Sequence, residues 1–187
     1  MGTRGFIGIV VDGTEKIGYN HFDSYPSGLG VAVLRFAASV DTTTGDLARN
    51  LRVVTDDDMP TAEDVERLAP YANTNVGGRA ATPDWYQLLR ETQGDMAAIL
   101  QAGVIQDAHD FPCDSLFAEW GYLIDIDAQT FEAYQGFQHE PHDKGRFADR
   151  GGVKDGYYPC ALRASWPLAV LPSEKEFLAA MSEDEEE

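Results

Sequence analysis

Basic residues are scarce in this sequence. Lysine and arginine together number 14 against 32 aspartates and glutamates, which leaves a formal net charge of −18. A surface of that sign repels the phosphates of DNA and RNA and the headgroups of anionic membranes. The composition therefore argues against direct binding to nucleic acid or to membranes, and it favours a protein partner with a basic surface.

The sequence also lacks long apolar runs and a set of cysteines. No apolar stretch approaches the roughly 20 residues that a membrane-spanning helix needs. Nothing near Met1 has the pattern of a signal peptide, so we expect a cytoplasmic protein. The two cysteines, Cys113 and Cys160, lie in apolar or aromatic surroundings and cannot build a disulfide framework. Each is expected to act as a small hydrophobic side chain in the core.

What the sequence does contain predicts one α+β domain. Its 187 residues, of which 43% are hydrophobic, suffice for one packed core. Segment 5–20, with an Asp12-Gly13 turn, predicts a β-hairpin, and segment 120–134 predicts a second hairpin with one buried side. With a last strand over 157–166, we expect a mostly antiparallel sheet of about five strands, with helices inserted between its two halves.

Capping residues predict where several helices begin. These start signals are Thr61, Thr82 with Pro83 behind it, and Ser173. A further helix is expected to run from Asp95 and to stop at Gly103. Segment 136–156 holds five glycines and many charges, and it is expected to be a long loop. The domain is expected to span residues 1–181, followed by an acidic, disordered tail over 182–187.

The densest group of polar side chains follows the first hairpin, in segment 19–26 (Tyr-Asn-His-Phe-Asp-Ser-Tyr-Pro). Sites are often placed directly after a strand. His21 and Asp23 are positioned to orient one another for proton transfer, with a hydroxyl from Ser24 or Tyr25 nearby. The same residue types also satisfy free backbone groups at a corner of the chain, and we favour this structural interpretation.

Several segments resemble a group of uncharacterised proteins of actinobacteria and their phages. The resemblance rests on residues 1–5 (Met-Gly-Thr-Arg-Gly), on segment 19–26, on 121–127 (Gly-Tyr-Leu-Ile-Asp-Ile-Asp) and on 145–147 (Gly-Arg-Phe). It implies a domain of this group and no particular activity. Arg146, in the last of these segments, is a further candidate for binding.

The N-terminal region also resembles the N-terminal-nucleophile hydrolases. These enzymes begin a sheet with Cys, Ser or Thr, continue into a hairpin and place an Asn or Asp near its end. The resemblance implies that Thr3 attacks an amide while Asn20 or Asp23 helps to fix the geometry, with His21 beside them. Two features depart from the family, because removal of the initiator methionine exposes Gly2 and the family's tuning lysine has no equivalent nearer than an arginine.

Histidines at 139–143 (His-Glu-Pro-His-Asp), and His109 beside Asp110, have the side chains of zinc or manganese ligands. Pro141 prevents the helical spacing of paired-histidine motifs, and no cysteine pair supports a structural site. The glycines of segment 28–30 lack the lysine of a phosphate-binding loop. We therefore predict no metal and no cofactor.

Three functions follow from these observations. The leading one is a non-catalytic interaction protein, an accessory or inhibitory factor of phage type that engages its partner through an acidic surface. The alternative is an amidohydrolase that uses Thr3 as its nucleophile. A further alternative is a nucleic-acid mimic, which requires the carboxylates to line one face.

Overall fold

Seven strands and six helices make up the regular structure in the computed structural model, which describes residues 2–77 and 82–182. The strands are β1 (Gly5–Val11), β2 (Thr14–Asn20), β3 (Arg52–Val54), β4 (Val104–Gln106), β5 (Trp120–Asp125), β6 (Thr130–Gln135) and β7 (Ala161–Pro167). The helices are α1 (Val31–Ala37), α2 (Thr42–Asn50), α3 (Ala62–Leu68), α4 (Trp85–Leu88), α5 (Met96–Ala102) and α6 (Glu174–Ser182).

The main sheet has five strands in the order β2-β1-β5-β6-β7. Neighbouring strands within this sheet are antiparallel, except that β1 and β5 run parallel to each other at its centre. β3 and β4 form a separate two-stranded parallel sheet. The predicted α+β fold, with a mostly antiparallel sheet of about five strands in one domain, is therefore confirmed.

The first hairpin closes with the turn that its sequence predicts. Asp12 and Gly13 have φ angles of 51° and 71°, the left-handed pair that matches the twist of two antiparallel strands. The carboxylate of Asp127 accepts hydrogen bonds from the backbone N–H groups of Asp12 and Gly13, at 2.9 and 2.8 Å. A side chain from the β5–β6 turn therefore fixes the tip of the other hairpin.

Both faces of the sheet are covered. Helices α1, α2, α5 and α6 pack on one face, around Ile7, Tyr122 and Phe131. On the other face, the segment between β6 and β7 packs Phe147 against Phe6 and Tyr134. The expectation of one buried side for the 120–134 hairpin is wrong, because the long loop supplies a second core.

Three of the predicted helix starts are confirmed, because Thr61, Asp95 and Ser173 each accept a hydrogen bond from an N–H in the first turn. The fourth is wrong. Asp84, not Thr82, caps α4, since its carboxylate accepts from the N–H of Gln87 at 2.8 Å and the helix begins only at Trp85.

Other predicted boundaries shift. The last strand begins at Ala161 and not at residue 157, because the preceding Pro159 has no N–H for the ladder. Ser182, predicted as the first residue of the tail, belongs to α6. The rest of the predicted tail, 183–187, lies outside the described residues. No helix in the described part of the chain is long and apolar enough to cross a membrane.

Lys16 fastens α2 to the first hairpin. Its ammonium Nζ donates to the carbonyl oxygens of Ala48, Arg49 and Leu51 at 2.7, 3.0 and 2.8 Å, at the C-terminal end of α2. The last carbonyls of a helix lack the i+4 N–H partners of its interior, and here the Ala48 carbonyl also accepts from the N–H of Leu51. The positive charge of Lys16 suits the negative end of the helix dipole. Burial lowers the pKa of Lys16.

Arg146 holds the long loop on the sheet. Its guanidinium lies 2.7 Å from a carboxylate oxygen of Asp125, 2.8 Å from one of Glu132 and 3.4 Å from one of Glu15. The hydroxyl of Tyr134 donates to Glu132 at 2.7 Å. Burial opposes the charge of Arg146, but its hydrogen bonds to Glu132 and Asp125 outweigh that effect and raise its pKa. One cation therefore joins β2, β5, β6 and the loop.

Replacing Arg146 with methionine should lower the free energy of unfolding by about 3 kcal/mol, because it leaves partly buried carboxylates without their cation. Denaturant unfolding measures the loss. Arg35→Met is the matched control, since Arg35 forms an ion pair with Glu174 but its side chain is 67% exposed; the control should cost far less than Arg146→Met, because a solvent-exposed ion pair contributes little to stability. Equal losses in the two variants would refute the assignment.

Candidate functional site

The polar segment after β2 folds against the N-terminal residues as a buried corner. Ser24 is fully buried. Its N–H donates to the carbonyl of Thr3 at 3.1 Å, and its own carbonyl accepts from the Tyr122 hydroxyl at 3.0 Å. The side-chain amide of Asn20 donates to Ser24 Oγ at 2.8 Å and to the carbonyl of Phe22 at 2.5 Å. These bonds satisfy polar groups that burial would otherwise leave without partners.

The corner does not bring the four candidate catalytic residues together. Thr3 and Asn20 are buried, and the amide of Asn20 is engaged within the corner. His21 Nδ1 lies 2.7 Å from the Tyr19 hydroxyl, and no hydrogen bond among the described residues joins His21 to Asp23. Asp23 is exposed, with a left-handed φ of 53°, and its carbonyl accepts from the N–H of Leu29 at 3.0 Å.

The side chains of His21 and Phe22 extend outward from the corner and form a surface together with five other residues. We call this surface the aromatic–arginine patch, and its residues are Gly2, Arg4, His21, Phe22, Arg90, Phe117 and Phe137. Three of its rings are large and exposed: Phe22 at 51%, Phe117 at 43% and Phe137 at 44%. The rings of His21 and Phe22 meet edge to face at a centroid distance of 4.2 Å.

Two arginines of the patch lie over its phenylalanine rings. The guanidinium carbon of Arg4 is 5.4 Å from the ring centroid of Phe117, and that of Arg90 is 5.2 Å from the centroid of Phe22. Neither guanidinium forms an ion pair with a carboxylate in the described part of the chain, whereas Arg35 and Arg146 do. The patch is therefore locally cationic on a strongly acidic protein.

A cleft of about 390 Å³ opens within the patch. Its lining includes Gly2, Arg4, His21, Phe117, Glu119 and Phe137. A Cβ at position 2 would lie 2.4 Å from a ring carbon of Phe22, so a larger residue there would displace the exposed Phe22 ring. The volume falls within the range of roughly 300–1,000 Å³ that small ligands and single side chains occupy.

Phe137 reaches the cleft from a strained backbone. Its φ of 55° is rare for a bulky side chain and costs on the order of 1–3 kcal/mol. The N–H groups of Gly136 and Phe137 donate to the carbonyls of Glu119 and Ser115, at 2.9 and 2.8 Å, and hold this conformation. A Cβ on Gly136 would lie 2.1 Å from the Ala118 carbonyl oxygen, so only glycine fits. Strain of this kind is concentrated at functional sites.

Two cationic neighbours act on the imidazole of His21. Burial is the largest cause that lowers its pKa, followed by the charges of Arg90 and Arg4. These effects favour the neutral form of the ring, and its Nδ1 is engaged with the Tyr19 hydroxyl. Tyr19 also lines a second cavity of about 350 Å³, together with Tyr86.

The remaining candidates have structural surroundings. Ser24 is buried in the corner, Tyr25 is 40% exposed, and Arg146 is engaged by carboxylates of the sheet. Both ring nitrogens of His142 have backbone partners, the carbonyl of Pro159 and the N–H of Lys144. No group of three or more metal-binding side chains is assembled within residues 2–77 and 82–182.

The two thiols differ in their surroundings. Cys160 is buried, and its Sγ donates to the carbonyl of Ala118 at 3.2 Å. Burial raises the pKa of this thiol, as it does that of the half-buried Cys113. The expected core role is confirmed for Cys160.

The sequence did not indicate most of the patch. Phe22 lies inside the predicted polar corner, but Arg4, Arg90, Phe117 and Phe137 are far apart in the chain and match no motif. A weak signal is Gly136 before Phe137, because a glycine after a strand predicts a sharp change of direction. No protein family, curated protein or solved structure matches this chain. The resemblance to the actinobacterial and phage group therefore stays a prediction.

Replacing Asn20 with alanine should cost about 2 kcal/mol of unfolding free energy, because it leaves Ser24 Oγ and the Phe22 carbonyl without a buried donor. Asn50→Ala is the control, since the amide of Asn50 bonds to the Asp46 carbonyl at an exposed site, and it should cost less than about 0.5 kcal/mol. Denaturant unfolding compares the two, and a cost below that of the control would contradict the role of Asn20.

The lowered pKa of His21 predicts a pH effect on stability. As pH falls through about 6.5, the unfolded chain takes up a proton at His21 before the folded chain does, so the folded state loses stability. His21→Gln removes this linkage and keeps an acceptor for Tyr19. The stability of the native chain relative to this variant should fall between about pH 7.5 and pH 5.5. His109, whose pKa is raised by Asp107, is present in both proteins, so its contribution to stability cancels in this comparison. A pH-independent difference would refute the effect.

Proposed function

We propose that this chain is a non-catalytic protein-binding factor whose contact surface has the aromatic–arginine patch at its centre. The observation that carries the proposal is the composition of the patch. The buried centres of protein–protein interfaces are enriched in aromatic residues and arginine and depleted in lysine, aspartate and glutamate. Phe22, Phe117, Phe137, Arg4 and Arg90 match that composition on a chain with 32 acidic residues.

The contiguity of the patch supports binding more than exposure alone does. Single exposed apolar side chains are ordinary, whereas a contiguous group marks an interaction surface. His21 joins Phe22 by ring contact, and the cleft joins His21 to Phe117 and Phe137. Aromatic and arginine side chains of this kind supply most of the binding energy at protein interfaces.

The buried corner supports a non-catalytic role. The side chain of Asn20 is committed to hydrogen bonds that hold the backbone, and Thr3 is buried with its carbonyl bonded to Ser24. His21 is paired with a tyrosine hydroxyl and not with a carboxylate. These contacts account for Asn20, His21 and Ser24 without a substrate.

The net charge of −18 indicates the kind of partner. A strongly acidic chain attracts a basic protein over long distances and accelerates its association, and this attraction weakens with salt. We propose that the acidic residues steer a basic partner and that the patch supplies the close contact. An accessory or inhibitory factor, of the phage type that the sequence resembles, fits this division of roles.

Selection from a random displayed peptide library tests the patch without knowledge of the partner. The native chain should enrich peptides with an excess of lysine and arginine, and binding should weaken between low and high salt. The double variant Phe117→Ala/Phe137→Ala should lose these peptides by at least about tenfold in affinity. The control is Met59→Ala/Val170→Ala, at exposed apolar side chains outside the patch.

Two outcomes would contradict the proposal. Equal retention of the selected peptides by the patch variant and by the control would exclude the patch as the contact surface. An intact mass showing that the mature chain begins at Thr3, together with amide hydrolysis that Thr3→Ala abolishes, would replace the proposal with the N-terminal-nucleophile enzyme.

A further inference from the structure

The cleft of the patch combines one cationic side chain with apolar walls. Arg4 supplies the positive charge, His21 and Glu119 are the other polar side chains of the lining, and Leu116, Phe117 and Phe137 contribute apolar surface. Arg90 approaches from the ring of Phe22 next to His21. A ligand that fills this cleft must therefore present a negative group beside an apolar one.

We propose that the cleft receives the C-terminal carboxylate of a basic peptide segment whose last side chain is aromatic or large and aliphatic. This inference rests on the proposed function and names the part of the partner that the patch recognises. The carboxylate would bond to the guanidinium of Arg4, and the last side chain would lie between Phe117 and Phe137.

Arg4 has the capacity for this bond. Its guanidinium carbon lies 5.4 Å from the ring centroid of Phe117, and no carboxylate in the described residues forms an ion pair with it. Arginine binds carboxylates through two parallel hydrogen bonds, and these charge-assisted bonds are among the strongest in proteins. The neighbouring Arg90 adds positive potential without a carboxylate partner of its own among those residues.

The net charge of the protein favours a ligand that ends in a free carboxylate over an internal peptide segment with several acidic residues. A segment with several carboxylates would be repelled by a protein of net charge −18. A basic segment with a free C-terminus presents one negative charge at its tip and positive charges behind it. Its terminal carboxylate is complementary to the charges of Arg4 and Arg90, and its basic residues are complementary to the acidic surface around them.

The size of the cleft also favours one terminal residue. About 390 Å³ accommodates a single aromatic residue with its carboxylate and not a longer folded element. The backbone at Phe137, a lining residue, is held by the bonds from the N–H groups of Gly136 and Phe137 to the carbonyls of Glu119 and Ser115. A preformed cleft of this kind does not have to be ordered when its ligand binds.

Glu119 opposes the ligand. Its carboxylate lines the same cleft and lies 3.4 Å from the backbone nitrogen of Arg4, from which it accepts a hydrogen bond. Glutamine at this position keeps an oxygen to accept that bond but removes the negative charge. The substitution should therefore strengthen the binding of a carboxylate and leave an uncharged ligand unaffected.

Two synthetic peptides provide the test. Both carry two lysines and end in phenylalanine, one as the free acid and the other as the C-terminal amide, and fluorescence anisotropy measures their Kd values on the full chain. The acid should bind about tenfold more tightly than the amide. Arg4→Gln and Arg90→Gln should reduce that ratio, Glu119→Gln should increase it, and the exposed control Arg35→Gln should leave it unchanged.

Equal Kd values for acid and amide, or a ratio unchanged by both Arg4→Gln and Arg90→Gln in folded protein, would overturn the inference. If Phe117→Ala/Phe137→Ala still abolished binding of the library peptides, neither result would contradict the proposed function. Conversely, loss of the proposed function would appear as patch-independent binding of those peptides, whatever the preference between acid and amide.

Discussion

The amide of Asn20 is the contact on which the exposed surface of this protein depends. By bonding to Ser24 and to the Phe22 carbonyl, it turns the chain back on itself directly after β2. The turn places backbone polar groups inside and the rings of His21 and Phe22 outside. Without this buried amide, the unpaired groups of the corner would need water, and the two rings would have no fixed orientation.

A second constraint acts on Phe137, a lining residue of the cleft. Phe137 lies where the chain leaves β6, and the N–H groups of Gly136 and Phe137 donate to the carbonyls of Glu119 and Ser115. Further along the same segment, Arg146 fastens the chain to β2, β5 and β6. The polar corner and the segment after β6 are therefore held by separate sets of contacts.

The sequence was informative where structure is set by neighbouring residues. The Asp12-Gly13 turn and the caps at Thr61, Asp95 and Ser173 depend on contacts within a few positions, and they are confirmed. It was uninformative where position depends on distant partners. Helix α2, whose end is held by Lys16 from β2, was not predicted, and the patch is assembled from parts of the chain that share no pattern. Arg4 and Arg90 lie over phenylalanine rings from other parts of the chain, and no sequence motif predicts such contacts.

The parallel pairing of β1 with β5 has a consequence for the order of folding. Gly5 pairs with Trp120, more than a hundred positions along the chain, so the centre of the sheet cannot close until most of the polypeptide has left the ribosome. The β1–β2 hairpin forms locally and must wait with the apolar residues of β1 uncovered. Closing so large a loop costs entropy before any contact repays it, which slows folding. During synthesis, the nascent chain therefore exposes its most hydrophobic strand the longest.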